Sequence, residues 1–168
     1  MWLFRGGASQ AAMARSIFDF TVKGGDGTSL DLSTYRGTKK AFLVLNYREL
    51  NALDGELGSK GLAILGFPSN EFGGQEPYDD ATIQENAKNP EKKTYATFPV
   101  FAKIKVNGPE ADPLYTYLNS GATGVLGTTS VKWNFSKYLC DAEGHVVKRF
   151  GPTAAPSSIK PDIEKLLV

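Results

Sequence analysis

The stretch KKAFLVLNYRELNAL, residues 39–53, decides how the rest of the chain is read. Ala41 to Leu45 is an unbroken apolar run of strand length, the pattern of a central strand covered on both faces. From Asn46, the residues Tyr47, Leu50, Leu53 and Leu57 fall on one helical face, and Asn46 followed three residues later by Glu49 matches a capping box. A strand thus runs directly into a helix, where strand-to-helix loops usually take about 2–6 residues. So short a join leaves nothing to turn the chain.

Working outward, SIFDFTVKGGDGTSLDLSTYRG alternates apolar and polar residues on either side of Gly24-Gly25-Asp26-Gly27, which predicts an N-terminal β-hairpin around a turn needing positive φ. GLAILGFP predicts a second buried strand, closed by Pro68 and a polar, glycine-containing loop from Ser69 to Pro77. Asp79 and Asp80 suit the start of a short helix through Ile83 and Ala87. FPVFAKIKV is a third strand candidate, and ADPLYTYLNS places Leu114, Tyr117 and Leu118 at helical spacing. KYLCDAEGHVVKRF predicts two strands around a turn at Asp141 to Gly144. Ile159, Ile163, Leu166 and Leu167 predict a closing helix with Pro161 in its first turn. Strands alternating with helices, then a hairpin and a last helix, predict an α/β sheet flanked by helices.

The chain has 168 residues, 41% of them hydrophobic, enough for one well-packed core, so residues 16–168 read as a single domain. Residues 1–15 carry Arg5 and Arg15 and no acid, a weak presequence pattern or a flexible tail. That leaves a cytoplasmic location, or a mitochondrial or plastid one if the segment is a presequence. Nineteen basic against eighteen acidic side chains give a formal charge of +1, so no field points to nucleic acid or an anionic surface. The single Cys140 and single His145 exclude an internal disulfide and thiolate or multi-histidine metal clusters. No apolar run approaches the roughly 18 residues of a membrane span.

Two motifs, FPSNEFGGQEP (Phe67 to Pro77) and KWNFSKYL (Lys132 to Leu139), resemble those of the glutathione peroxidases, and the likeness continues through YRG, NYREL, GLAILGFPSN, VNG, PLYTYL and RFGPTAAPSSI. The resemblance implies a thioredoxin-like fold, a central mixed sheet flanked by helices with an N-terminal β-hairpin. It implies reduction of hydrogen peroxide or organic and lipid hydroperoxides in the response to oxidative stress. It also implies a thiol co-substrate, glutathione first, with no cofactor or metal. In the family a cysteine or selenocysteine, in a motif like NVASxCGxT, lies between the first central strand and the NYxEL helix. Here AFLVL meets NYREL directly, so roughly ten residues, the nucleophile among them, have no counterpart between Leu45 and Asn46.

Cleaving a peroxide O–O bond needs a chalcogen anion that attacks one oxygen while the other leaves as hydroxide or alkoxide. Hydrogen-bond donors lower the nucleophile's pKa and stabilise the leaving charge. By position in the motifs, the resemblance assigns that role to Gln75, Trp133 and Asn134, whose amide and indole N–H groups donate without titrating. Taken singly, Trp133 reads as a core aromatic, Asn134 as a turn residue and Gln75 as a solvated loop residue. Cys140, where the family usually has an aliphatic residue on a strand, reads as packing, and His145 as an exposed turn residue.

Departures from the family pattern are informative. Ser69 and Glu71 stand where the family commonly has cysteine and glutamine in FPCNQFGGQEP. IQENAKNPEKK lacks the resolving cysteine of the thioredoxin-dependent branch, so glutathione or another thiol is the expected resolving agent. GATGVLGTTSVKWNF lacks the insertion of tetrameric members, which makes the chain similar to the monomeric, phospholipid-hydroperoxide-reducing type. Three readings stay open: a peroxidase gene whose selenocysteine codon was read as a stop and spliced around, a non-catalytic binding or regulatory protein on the same scaffold, and a peroxidase in which Cys140 substitutes.

Overall fold

The computed structural model describes residues 13–45, 50–122, 124 and 127–168. The predicted capping box at Asn46 and Glu49 lies outside the described residues. A hairpin of β1 (Thr21–Lys23) and β2 (Ser29–Asp31) forms as expected, its turn passing through Gly27 at φ 82°. The main sheet has four strands, β3 (Ala41–Leu45), β4 (Leu62–Gly66), β5 (Lys137–Cys140) and β6 (Val146–Phe150), in the order β4-β3-β5-β6. β3 runs parallel to β4 and antiparallel to β5, which pairs antiparallel with β6, so the sheet is mixed. The helices are α1 (Asn51–Leu57), α2 (Asp80–Lys88), α3 (Pro113–Gly121) and α4 (Pro156–Leu166).

The period of two in β3 sorts its side chains between two cores. Phe42 and Val44 face a core with Phe20, Val22, Leu114 and Leu118, on the side of the hairpin and α3. Ala41, Leu43 and Leu45 face another built with Leu50, Leu53 and Leu57, Ile83 and Ala87, and Ile159 and Ile163. All five residues of β3 are fully buried, which is why the run reads as continuous rather than alternating. Leu50, the N-cap of α1, makes no side-chain cap bond and is itself buried, so core packing rather than a polar cap holds that helix start.

Three expectations need correction. The helix read from Asn46 with Leu50 on its face is observed from Asn51, Leu50 being its non-helical N-cap. FPVFAKIKV does not form a strand; it makes only isolated bridges, Val100 with Gly66 and Phe101 with Gly24. Pro99 has no N–H to give. Ala102 N–H still reaches the Lys23 carbonyl of β1, but beyond it the N–H groups go elsewhere, that of Lys103 to the Asp80 carboxylate, of Ile104 to the Pro68 carbonyl and of Val106 to the Glu71 carboxylate. The last helix begins at Pro156, not near Ile159, so Pro161 lies in its second turn. The carbonyl deprived of a partner by Pro161 belongs to Ser157, an exposed residue, and water can satisfy it.

Candidate active site

Leu45 ends β3 with Gly66 of β4 beside it on one side and Lys137 of β5 on the other. The chain leaving β4 and the chain entering β5 therefore flank the carboxyl end of β3, the edge where open α/β sheets place their ligands. Each carries one of the two motifs.

On the β4 side, Gly73 (φ 63°) and Gly74 (φ 60°) both take left-handed conformations that a side chain would oppose, and they bring Gln75 round to the site as an exposed residue. The loop is closed by Glu76 N–H donating to Asn70 Oδ1 at 3.0 Å. On the β5 side, Asn134 is buried, 6% exposed, and its Nδ2 donates to Gln75 Oε1 at 3.0 Å. Trp133 is 45% exposed and leans on Phe72, ring centroids 5.9 Å apart at 44°. The structure thus brings all three predicted residues together at the end of β3, although they come from loops about sixty residues apart in sequence.

The turn after Asn134 is strained. Phe135 has φ 71°, a left-handed conformation unusual for an aromatic residue, and such outliers gather at functional sites. Its carbonyl accepts a 2.7 Å bond from Lys137 Nζ, and Ser136 Oγ donates to the Trp133 carbonyl at 3.2 Å. Lys137, 3% exposed, is a buried lysine beside the site that sequence reasoning did not single out. A cleft of about 390 Å³ next to it is lined by Leu50, Phe135, Lys137 and residues 152–156.

The arrangement offers neutral N–H donors, suited to stabilising an anion at any working pH. Cys140 is placed for something else. It sits on β5 opposite Phe42, three pairs from the Leu45–Lys137 end, or roughly 10 Å at the rise of a strand. It is fully buried, and burial pushes its thiol well above the ordinary value, the reverse of what a nucleophile needs. His145 is exposed in the β5–β6 turn, its Nδ1 lying 3.4 Å from Asp141 Oδ2. Among the described residues, no three His, Cys, Asp or Glu side chains gather as metal ligands, and no helix is long and apolar enough to cross a membrane.

The model of the glutathione peroxidase family matches residues 17–119. A "Probable phospholipid hydroperoxide glutathione peroxidase" of Citrus sinensis is 47% identical over 163 aligned positions, covering 90% of this chain and 94% of that protein. The crystal structure of Trgpx in its apo form superposes with a TM-score of 0.74 at 34% identity, over 92% of this chain and 96% of that one. A thioredoxin-family thiol:disulfide interchange protein from Chlorobium tepidum, at 16% identity and a TM-score of 0.55 over 89% of this chain and 93% of its own, shares the fold alone. A thioredoxin-like sheet, the two motif loops at the end of its central strand and relatives matched over nearly their full length all agree: the chain belongs to the glutathione peroxidase family.

Proposed function

We propose that Gln75, Trp133 and Asn134 are the donor half of a hydroperoxide-reducing site, and that the chain as written lacks the nucleophile half, which belongs between Leu45 and Asn46. The observation that carries the reading is the convergence of the two motif loops on the end of β3, with Asn134 bonded to Gln75. Donors alone break no O–O bond, since that step needs an electron pair from a chalcogen anion. Supporting the missing segment, 163 aligned positions with the citrus relative take in only 90% of a 168-residue chain. Roughly a dozen positions of that relative therefore have no counterpart here. A gene model that spliced around a selenocysteine codon accounts for such a gap, and nucleotides between the Leu45 and Asn46 codons with no in-frame segment carrying TGA or a cysteine codon would sink that account.

In the complete protein the substrates are hydrogen peroxide or organic and lipid hydroperoxides, with glutathione as the resolving thiol. The working unit is a monomer, residues 16–168 forming one domain. The location is cytoplasmic, or organellar if residues 1–15 direct it. The second reading, a binding or regulatory protein on this scaffold, keeps the same donors without turnover. The test is purified chain assayed for hydroperoxide-dependent thiol oxidation, before and after Cys140→Ser. We expect none in either; activity in the parent that the substitution abolishes would instead make Cys140 the nucleophile.

A further inference from the structure

Gln75 and Asn134 sit on separate loops and meet through a neutral hydrogen bond, an interaction of modest strength. The structure supplies a second connection behind them. Val106 N–H donates to Glu71 Oε2 at 2.5 Å, tying the Gln75 loop to the segment after Phe101. Ser69 Oγ donates to the same carboxylate oxygen at 3.2 Å. One residue on, Asn107 clamps Val131 from both sides: its Oδ1 accepts Val131 N–H at 2.7 Å and its Nδ2 donates to the Val131 carbonyl at 2.8 Å. Val131 is two residues before Trp133. Asn119 Nδ2 holds the Val106 carbonyl at 3.1 Å, and Asn119 Oδ1 accepts from the Tyr138 hydroxyl, which anchors the segment to β5. The bonds close a ring from Gln75 through Glu71, Val106, Asn107, Val131 and Asn134 back to Gln75.

We propose that Glu71 and Asn107 are positioning residues that fix the spacing of the Gln75 loop and the Trp133–Asn134 turn through the Val106–Asn107 segment, so the donor cluster is set before any peroxide arrives. This rests on the reading of those three residues as the donor cluster. The bond from Val106 N–H to Glu71 is the shortest in the ring. Serine at 69 fits it, because a hydroxyl is a better donor to a carboxylate than a thiol. The two departures from the family's FPCNQFGGQEP pattern are thus one matched change, a carboxylate with its hydroxyl donor.

The test is NMR of the 15N-labelled full chain, following the Asn134 side-chain amide in Glu71→Ala, Asn107→Ala and Glu71→Gln. Both alanine variants should speed its exchange with solvent about ten-fold and cut its Overhauser contact with Gln75 by about half or more, whereas Glu71→Gln, whose amide oxygen still accepts from Val106, stays within about two-fold of the parent. Folded alanine variants with an unchanged Asn134 amide would overturn the proposal. So would a loss in Glu71→Gln as large as in Glu71→Ala. If Glu71→Ala does not fold, Asn107→Ala decides. The readout needs no turnover, so a ring that holds while a folded chain given a cysteine-bearing segment between Leu45 and Asn46 stays inactive would refute the functional reading and leave this one standing.

Discussion

Tyr115 lies fully buried between Phe67 and Tyr138, edge-on to both rings, and its hydroxyl has no hydrogen-bond partner among the described residues. An orphaned buried hydroxyl costs about 1–3 kcal/mol, while the ring supplies the packing. Tyr115→Phe should therefore leave the melting temperature unchanged or raise it by a few degrees; a clear fall in a thermal melt would reveal a partner for the hydroxyl. At this scale the sequence was legible where chemistry travels with a motif: Gln75, Trp133 and Asn134 were placed by FGGQEP and KWNF, and they meet. Glu71 and Asn107 were not legible in their linking role. Their bonds reach Val106 and Val131, which lie 35 and 24 residues away, and no local pattern records such distances.

The elements that frame the site are held by short polar caps as well as by the core. Asp112 caps α3, its carboxylate accepting from Leu114 N–H at 2.9 Å with Pro113 at the first helical position. Burial raises the pKa of that carboxyl, and the bond from Leu114 only partly opposes it. Asp112→Asn keeps the cap without the buried charge, so it should be neutral or slightly stabilising in denaturant unfolding, whereas Asp112→Ala should cost about 1 kcal/mol. Equal losses in both would show that the charge itself is needed. The elements read correctly from sequence were those whose period the core enforces, such as β3 and the faces of α2 and α3. FPVFAKIKV misled because its apolar residues do enter the cores, while only Phe101 and Ala102 give their N–H groups to neighbouring strands and those of Lys103, Ile104 and Val106 serve Asp80, Pro68 and Glu71. Pro161 misled because the helix gains a turn at Pro156, where a proline suits the first position.

For the whole molecule, titration sets limits on both sides of neutrality. Hydrogen bonds from Lys148 and then Lys165 hold the Asp162 carboxyl below its ordinary 3.8, and the bond from Lys160 does the same for Glu56. A carboxyl with a depressed folded pKa adds stability above its unfolded pKa and loses it as the pH falls through the folded one. Desolvation raises Tyr138 and Tyr117 from 10.0 to about 12 and pushes Cys140 up from 9.0. Those groups add stability below their unfolded values and lose it as the pH climbs from there toward the folded ones. The melting temperature should therefore plateau between about pH 5 and pH 9 and fall on both sides; a chain as stable at about pH 11 as at pH 7 would contradict the burial of these groups. The central claim, a donor site complete but for its nucleophile, is tested most directly by gain of function. A cysteine-bearing segment of about ten residues is inserted between Leu45 and Asn46, and hydroperoxide-dependent oxidation of glutathione is measured. The account predicts activity where the parent has none, falling about 100-fold or more when Asn134→Ala removes one donor. A folded, thiol-bearing insertion protein that stays inactive, or one indifferent to Asn134→Ala, would contradict it.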